Sequence, residues 1–226
     1  MNILAFSDIH GNSDAVRKLI SEVSDIEFDI IVFGGDFTNA WFDGLDEGKK
    51  QMREISSLLK SLNKPFFYVY GNRDILPHGH VKCPFGNNIE EKDWSIDKYT
   101  LTNKINKLSR SKILVTHSLN RKFKDKQANA LLYMYGHDHN GRLYKNYIDL
   151  GFLYRGTTAH GAAQPLYGCY WIISLEKNIF HIENYSWQLK ESICPKHNDQ
   201  GIFYIPYYWK KECPLCYNEK ENSLNF

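Results

Sequence analysis

The chain lacks a long uninterrupted apolar segment, and it also lacks a strong excess of charge of either sign. A membrane-spanning helix needs roughly 20 consecutive apolar residues, so we expect no membrane anchor. The formal net charge of +2 excludes the global basic field of a dedicated nucleic-acid binder. The first residues enter an apolar run without the basic and apolar regions of a secretory signal peptide, and we therefore expect a cytoplasmic protein.

Cysteine is scarce as well, at 5 of 226 residues. Such a count favours a reducing compartment over a secreted scaffold held by disulfides. The length fits one α/β domain with a small appendage, because a chain of this size buries a single large core. Internal repeats and low-complexity segments are absent from the sequence.

Polar blocks rich in Asp, His and Asn follow five short apolar runs, each with the composition of a β-strand. The runs are residues 3–6, 30–33, 66–70, 113–116 and 131–135. The blocks are Asp8-Ile9-His10, Gly35-Asp36, Gly71-Asn72-Arg73-Asp74, His117, and Gly136-His137-Asp138-His139. Open α/β sheets place their chemistry at the carboxyl ends of strands. We therefore expect these five strand ends to converge on one edge.

The blocks supply four imidazoles, two carboxylates and one amide carbonyl as candidate metal ligands. These are Asp8, His10, Asp36, Asn72, His117, His137 and His139. A mixed nitrogen and oxygen set suits divalent Mn, Fe, Zn or Co, and no thiolate is present to favour zinc alone. The pattern predicts a site for two divalent metal ions.

The order and spacing of the blocks resemble the calcineurin-like metallophosphoesterase superfamily, whose signature runs D-x-H, G-D, G-N-H-[DE], H and G-H-x-H. The resemblance implies a four-layer α/β/β/α sandwich of two facing mixed sheets, over residues 1–187. It also implies two ligand groups and a bridge: Asp8, His10 and His139; Asn72, His117 and His137; and Asp36 between them. The implied reaction is hydrolysis of a phosphoester by a hydroxide that bridges the two metals.

The chain departs from this signature at Arg73, where the family commonly has the His that protonates the leaving group. Arginine stays protonated, so it cannot act as an ordinary general acid, although it can bind phosphate in a bidentate manner. The Gly-Asn-Arg-Asp form also occurs in UDP-diacylglucosamine pyrophosphohydrolases of the superfamily. Those enzymes carry a longer segment before the last block than this chain does, so we do not adopt their lipid substrate.

We predict catalytic roles for Asp36, Asn72, Arg73 and Asp74, with Asp74 orienting a ligand or an imidazole. A phosphoanhydride or an acidic alcohol is then the favoured leaving group, because it needs little protonation. His78 or His80, in a long loop predicted over residues 75–88, is the alternative proton donor.

The expected substrate is a small phosphorylated molecule or a nucleotide. A nuclease is the first alternative, because eight Lys or Arg residues between Lys104 and Lys126 face a single acid, Asp125. The equally simple interpretation of this segment is a solvated helix face and loop. A non-catalytic interaction scaffold on the same fold is the second alternative. The sequence does not indicate the oligomeric state.

Periodicity predicts two helices and a β-rich second half. Ser13 is the expected cap of a helix over residues 14–24, and a second helix is expected over residues 45–62. From residue 146 to residue 183 the pattern becomes β-like, which predicts a second sheet packed on the first.

The C-terminal segment, residues 188–226, contains two Cys-x2-ligand pairs separated by fifteen residues, Cys194 with His197 and Cys213 with Cys216. This spacing predicts an appendage with one structural zinc ion in a closed Cys3His site, resembling a zinc ribbon. Free thiols on a surface hairpin are the alternative. The aromatic run over residues 202–209 is expected to pack on the catalytic domain, with stacking on bases or on a partner as the alternative.

Overall fold

The computed structural model of the chain describes residues 1–77, 79–106, 108–119, 129–156, 164–176 and 179–216. Three α-helices lie near the N-terminus: α1 Ser13–Glu22, α2 Ala40–Asp43 and α3 Leu45–Lys60. No helix in the described part of the chain is long and apolar enough to cross a membrane.

The strands form two large mixed sheets and two short ladders. The first sheet comprises β1 Asn2–Phe6, β2 Ile30–Phe33, β3 Phe66–Tyr68, β6 Asn87–Asn88, β15 Cys169–Glu176 and β16 Ile179–Ser186. The second comprises β7 Trp94–Ile96, β8 Tyr99–Thr102, β9 Lys112–Thr116, β10 Leu132–Tyr135, β11 Gly141–Tyr144, β12 Tyr147–Asp149, β17 Leu189–Ser192 and β18 Ile202–Pro206. The ladders pair β4 Ile75–Leu76 with β5 Gly79–His80, and β13 Tyr154–Arg155 with β14 Leu166–Tyr167.

Strand order is β16-β15-β1-β2-β3-β6 in the first sheet and β17-β18-β11-β12-β10-β9-β8-β7 in the second. Strands β1, β2 and β3 run parallel, and so do β8, β9, β10 and β12. The fold is therefore a mixed α/β fold in which each sheet has a parallel centre.

Both faces of the first sheet are buried, because successive side chains of a strand point to opposite sides. Leu4 and Phe6 of β1 pack in one cluster with residues of α1 and α3. Ile3 and Ala5 pack in a second cluster with residues of the second sheet such as Ile113. This second cluster holds the two sheets together.

The outer face of the second sheet buries a smaller cluster, which includes Leu114 and Tyr133. Partly buried apolar residues from neighbouring segments, Ile105, Leu108 and Leu119, pack against it. The described residues place no helix on this face. The fourth, helical layer of the predicted sandwich stays a prediction, since residues 107 and 120–128 lie outside the described part of the chain.

Several local predictions need correction. Asn12 caps α1, since its side-chain Oδ1 accepts a hydrogen bond from the Ala15 N–H, and Ser13 is instead the first helical residue. Helix α3 ends at Lys60, two residues before the predicted end. The predicted loop over residues 75–88 contains the β4–β5 ladder and β6.

The predicted origin of the second sheet is only partly correct. Strand β12, from the β-like second half, does lie in it. Strands β15 and β16, from the β-like second half, join the first sheet, with β15 antiparallel to β1. Strand β15 is apolar because both of its faces are buried, with Tyr170 and Ile172 in one cluster and Trp171 and Ile173 in the other, whereas the edge strand β16 is only partly buried. The second sheet instead begins at β7, well before residue 146.

The C-terminal segment continues the second sheet. Strand β18 pairs with β11 on one side and with β17 on the other. In the aromatic run, Phe203 and Ile205 are buried, and the ring of Tyr204 lies edge-on to Trp171 of the first sheet, with centroids 5.2 Å apart. The expected packing of this run on the rest of the fold is confirmed.

Candidate metal centre

Five strand ends deliver the seven predicted ligands, but they come from both sheets. Strands β1, β2 and β3 of the first sheet are followed by Asp8 and His10, by Asp36 and by Asn72. Strands β9 and β10 of the second sheet are followed by His117 and by His137 and His139. The predicted single edge is thus two edges, and the site lies where they meet.

The first ligand group is buried. Oδ1 of Asp8 lies 3.0 Å from Nε2 of His139 and 3.5 Å from Nε2 of His10. The two imidazole Nε2 atoms lie 2.9 Å apart. Oδ2 of Asp8 accepts a hydrogen bond from the Ser7 hydroxyl and another from the His137 N–H, so the outer oxygen of this carboxylate is fixed.

The second ligand group is more exposed. Oδ1 of Asn72 lies 2.9 Å from Nε2 of His117 and 2.8 Å from Nδ1 of His137. Nδ1 of His117 lies 2.9 Å from the carbonyl oxygen of Gly34, which orients the ring with Nε2 toward the site. Because Asn72 is exposed, solvent reaches the centre from this side.

Asp36 lies between the two groups. Its Oδ2 is 3.4 Å from Nε2 of His117 and 3.9 Å from Nδ1 of His10. Its Oδ1 accepts a hydrogen bond of 2.7 Å from the Arg73 N–H. One buried carboxylate oxygen therefore faces a member of each group.

The donor atoms fit metal ions. Ligand atoms of Asp8, His10 and His139 lie within 4.8 Å of one another, and so do those of Asp8, Asp36 and His117. Bonds of roughly 2.1 Å to a common ion place neighbouring donors roughly 3 to 3.5 Å apart, as most of these pairs are. The set of carboxylates, imidazoles and one amide oxygen suits divalent Mn, Fe, Zn or Co.

Five of the seven ligands adopt a left-handed backbone conformation. Asp8, His10, Asp36, His137 and His139 have φ angles between 51° and 73°. Non-glycine residues in this region cost on the order of 1 kcal/mol or more each, and such strain clusters at functional sites. The tight turns allow ligands from neighbouring sequence positions to face the same centre. The sequence motifs did not predict this backbone conformation.

Glycines before the ligands leave room for the carboxylates. A Cβ atom at Gly71 would collide with the side chain of Asp36, and one at Gly136 would collide with Ser7 and Asp8. Glycine is therefore required at these two positions by close approach, which explains why the blocks read Gly-Asn and Gly-His.

Charge in the centre is balanced between carboxylates and imidazoles. Burial opposes ionisation of Asp8, but hydrogen bonds with His10 and His139 outweigh it and hold the Asp8 pKa well below its ordinary value. Burial likewise opposes protonation of His117, yet the hydrogen bond and charge of Asp36 raise the His117 pKa to about 10. The carboxylates thus favour cations at this point, as a metal site requires.

Comparison with known proteins agrees with this geometry. Residues 1–178 match the calcineurin-like phosphoesterase superfamily domain. The chain belongs to the calcineurin-like phosphoesterase superfamily. None of the curated proteins matches the chain significantly.

Solved structures share the superfamily fold at low sequence identity. A dimetal phosphatase from Danio rerio has a TM-score of 0.56 at 9% identity, over 92% of this chain and 99% of that one. Protein TT1561 of Thermus thermophilus has a TM-score of 0.54 at 15% identity, over 81% and 98%. An archaeal phosphodiesterase has a TM-score of 0.51 at 18% identity, over 82% and 100%.

In this member of the superfamily, the Asp74 carboxylate accepts hydrogen bonds mainly from backbone N–H groups, and among the described residues it hydrogen-bonds no imidazole. Its Oδ2 accepts hydrogen bonds from the N–H groups of Phe37 and Gly71, both 3.1 Å long. Its Oδ1 accepts from the N–H and the hydroxyl of Thr38, at 2.9 and 3.0 Å. Asp74 therefore ties the loop that follows Asp36 to the turn that carries Asn72. Burial and the charge of Asp36 raise its pKa to about 7, against these hydrogen bonds.

Arg73 lies at the rim of the centre. Its guanidinium covers the ring of Phe42, with Cζ 4.0 Å from the ring centroid, and it forms no ion pair with any described residue. The Trp41 N–H donates to the Arg73 carbonyl, which fixes α2 beside this turn. Trp41 and Phe42 are 52% and 59% exposed, so an aromatic surface borders the site.

The predicted alternative proton donors gain no support. His80 is exposed and lies against the ring of Tyr70, with centroids 4.7 Å apart, and His78 lies outside the described residues. Glu90 is a further titratable residue that no sequence motif indicates: its Oε2 accepts a hydrogen bond of 3.3 Å from the Tyr70 N–H, two residues after β3. Burial raises the Glu90 pKa, against the hydrogen bond from Tyr70 and the charges of His80 and His117.

The basic segment is partly neutralised. Lys104 and Lys112 lie 3.7 and 3.5 Å from the carboxylate of Asp93. Of the remaining basic residues, Arg110 is exposed, and the others, Lys107, Arg121, Lys122, Lys124 and Lys126, lie outside the described residues. A continuous basic rim therefore stays a prediction.

The four C-terminal candidate ligands converge away from this centre. The ligand atoms of Cys194, His197, Cys213 and Cys216 lie within 4.8 Å of one another. Nδ1 of His197 is 3.5, 3.3 and 3.6 Å from the sulfur atoms of Cys194, Cys213 and Cys216, respectively. Burial opposes ionisation of Cys194, but hydrogen bonds, first of all with His197, lower its pKa to about 7.

Proposed function

We propose that this chain is a phosphoesterase that uses two divalent metal ions to hydrolyse a small phosphorylated molecule or a nucleotide. The position of Asp36 carries the proposal, because one buried carboxylate oxygen faces His10 and His117, which belong to different ligand groups. Asp8, His10 and His139 would hold one ion, and Asn72, His117 and His137 the other. When bound, the ions activate a water molecule and neutralise charge on the phosphoryl group.

The residues of the chain hold this arrangement in place before substrate arrives. Asp74 fixes the turns that carry Asp36 and Asn72 through backbone hydrogen bonds. The Arg73 N–H holds one oxygen of Asp36, which leaves the other directed at the imidazoles. Preorganised groups of this kind lower the reorganisation that hydrolysis requires.

Arg73 supports a substrate whose leaving group needs little protonation. Its guanidinium has no carboxylate partner in the described part of the chain, so it remains available to a phosphoryl oxygen. We assign it phosphate binding and not proton donation. A phosphoanhydride, or a phosphodiester or phosphomonoester with an acidic alcohol, therefore fits best.

We further propose one structural zinc ion at the C-terminal cluster. Four ligands in a tetrahedron around zinc place sulfur and nitrogen roughly 3.5 Å apart and two sulfur atoms roughly 3.8 Å apart. The distances from His197 agree, and Cys194 and Cys216 have sulfur atoms 3.5 Å apart. The site would join the β17–β18 connection, which carries Cys194 and His197, to the segment after β18, which carries Cys213 and Cys216, as a closed structural site does.

Metal analysis followed by hydrolysis of a substrate panel tests the proposal. The panel contrasts monoesters, diesters, pyrophosphates and single-stranded nucleic acid. We expect two divalent ions at the centre and turnover of small esters or anhydrides, both lost in an Asp36→Ala variant. His117→Ala should deplete chiefly the second ion. Turnover by Asp36→Ala with both ions retained would contradict the assigned site.

The two alternatives give different results in the same panel. A nuclease would prefer the nucleic acid and would lose affinity steeply with salt. A scaffold would bind no metal or would turn over nothing; the short distances among the seven candidate ligands support a metal-dependent enzyme instead.

A further inference from the structure

Arg155 is a buried cation with few partners. Its side chain is 5% exposed, and it lies beside an apolar cluster that contains Phe152, Leu166 and Leu189. Nη2 lies 3.5 Å from the hydroxyl of Tyr208, which is a long contact, and Nε has no hydrogen-bond partner in the described part of the chain. The guanidinium also lies over the ring of Phe152, 5.1 Å from its centroid.

A buried guanidinium with so few partners destabilises the fold unless another group binds it. A guanidinium carries five N–H donors and keeps its charge at all ordinary pH values. Burial of a charge without a partner strongly destabilises a folded protein. Among the described residues no carboxylate forms an ion pair with Arg155. Burial accordingly lowers the pKa of this guanidinium from its ordinary value.

Arg142, in contrast, has a guanidinium that forms hydrogen bonds within the same fold. Its Nε donates 2.7 Å to the Gln200 carbonyl, and its Nη2 donates 2.9 Å to the Gln200 side chain. The guanidinium also lies between the rings of Tyr144 and Phe203. Arg142 is therefore satisfied by the protein itself, whereas Arg155 is not.

Arg155 lies beside the metal centre. The segment that leads to it is tied to the first ligand, because the Leu153 and Tyr154 N–H groups both donate to the Asp8 carbonyl at 3.1 Å. The Phe152 ring contacts the imidazole of His139, with centroids 5.7 Å apart, and also lies under the Arg155 guanidinium. The Phe152 ring thus contacts both a candidate metal ligand and the guanidinium of Arg155.

We propose that Arg155 and the Tyr208 hydroxyl form a phosphate-binding subsite next to the metal centre. The planar guanidinium matches the oxygens of a phosphate, and the phenol adds an O–H donor at 3.5 Å from Nη2. The low local dielectric strengthens such hydrogen bonds. The expected source is a second phosphate group of the substrate, a part of the inference that rests on the proposed function.

The edge where this subsite lies is open to solvent at Tyr207 and Tyr208. Tyr207 is exposed, and its hydroxyl accepts a hydrogen bond of 3.0 Å from the Gln164 side chain. Tyr208 is only partly buried. The C-terminal strand β18, which ends just before these tyrosines, would in this way contribute to substrate binding as well as to the sheet.

The first test measures binding of inorganic phosphate to the full chain by calorimetry. We expect two phosphate sites per chain in the wild type and one in Asp36→Ala. Adding Arg155→Met to Asp36→Ala should remove the remaining site, and adding Arg142→Met should not. Arg155→Lys and Tyr208→Phe should each weaken phosphate binding at that site. For Arg155→Lys we expect Kd to rise roughly tenfold or more, because an ammonium cannot form the two parallel hydrogen bonds of a guanidinium.

Thermal melting in anion-free buffer separates this role from a structural one. Arg155→Met should raise Tm, since replacing an unpaired buried charge by an apolar side chain is stabilising. Arg142→Met should lower Tm, because it breaks two hydrogen bonds. Phosphate should raise the Tm of the wild type more than that of Arg155→Met. Failure of Arg155→Met to fold, or a fall in Tm like that of Arg142→Met, would overturn the proposal.

Kinetics identify the source of the phosphate. Arg155→Met should raise KM roughly tenfold or more for an ester that carries a second phosphate. It should leave KM unchanged for a matched ester without one. If both KM values stay unchanged while phosphate binding is lost, the subsite takes free phosphate. An inactive wild type that still shows the Arg155-dependent phosphate site would refute the proposed function and leave the subsite standing. Equal phosphate stoichiometry in Asp36→Ala with and without Arg155→Met would refute the subsite.

Discussion

The guanidinium of Arg73 lies on the ring of Phe42, 4.0 Å from its centroid, while the Arg73 N–H holds Oδ1 of Asp36. One residue thus connects the candidate bridging carboxylate to an exposed aromatic rim. The resemblance to the superfamily implies a histidine at this position, whereas a guanidinium in this geometry can hydrogen-bond a phosphoryl oxygen, as in the role that we propose. It offers no proton.

Arg73→Ala should raise KM by roughly tenfold or more, because a charged hydrogen bond to the substrate is lost, while kcat for activated esters changes less. Phe42→Ala removes the ring that supports the guanidinium and should raise KM by a smaller factor. Steady-state kinetics on an activated diester measure both. A larger fall in kcat than rise in KM in Arg73→Ala would contradict a binding role.

Arg73→His should raise kcat for diesters with poor leaving groups, because an imidazole with a pKa near neutrality protonates the departing oxygen where a guanidinium cannot. Comparing kcat on esters of graded leaving-group pKa measures this. Suppose instead that Arg73→His slows all esters alike, and that Glu90→Gln abolishes turnover of esters with poor leaving groups. Glu90 would then be the residue that protonates the leaving group.

Asp74→Asn should lower the metal content and the free energy of unfolding, by about 1 to 3 kcal/mol, because an amide cannot accept from all four donors that now meet the carboxylate. Elemental analysis and thermal melting measure the two effects. Asp138→Asn is the matched control, since Asp138 is exposed between two ligands. Equal behaviour of the two variants would show that Asp74 does not position the loops.

The doubly substituted variant Cys213→Ser, Cys216→Ser should lose one zinc ion per chain and keep both ions at the Asp36 centre, because the two sites share no ligand. Its Tm should fall, since zinc no longer links the β17–β18 connection to the segment after β18. Cys83→Ser, which removes a cysteine outside the cluster, serves as the control. Unchanged zinc stoichiometry in the double variant would exclude the structural site.

Asp149→Asn should stabilise the protein increasingly as pH rises. Burial raises the pKa of Asp149 well above its ordinary value, and nearby carboxylates reinforce this. The groups that face it are Asp138, Asp8, Arg142 and Tyr135. The unfolded chain releases this proton near pH 4, whereas the folded chain retains it, so stability falls as pH rises toward the folded pKa. The loss is about 1.4 kcal/mol per pH unit.

Melting curves at pH 5 and pH 8 check this sign. The Tm advantage of Asp149→Asn over the wild type should be larger at pH 8. Asp25→Asn, which changes an exposed carboxyl, should show no such trend. A constant difference between wild type and Asp149→Asn at the two pH values would show that the carboxyl is ionised in the folded protein.

Residue types and short spacings by themselves determined the family and the α/β class, and they predicted the candidate ligand set. This was possible because in blocks such as Gly35-Asp36 the candidate ligand directly follows an apolar run in the sequence. Residues that are adjacent in sequence stay close together in the folded chain, so the ligand must lie at the end of that strand. The short spacing of Cys194 and His197 is a local sequence pattern of the same kind. The structure brings these two residues together with Cys213 and Cys216.

Only the tertiary structure decided what depends on contacts between distant segments. Sequence could not assign β15 to the first sheet, because a buried apolar strand looks the same in either sheet. It also could not show that Asp74 accepts hydrogen bonds from backbone N–H groups, or that Arg155 lies buried against Phe152 without a carboxylate partner in the described chain. Those relationships join residues up to 37 positions apart for Asp74 and span both sheets at the metal centre. Packing of the whole chain sets them, and no local pattern records them.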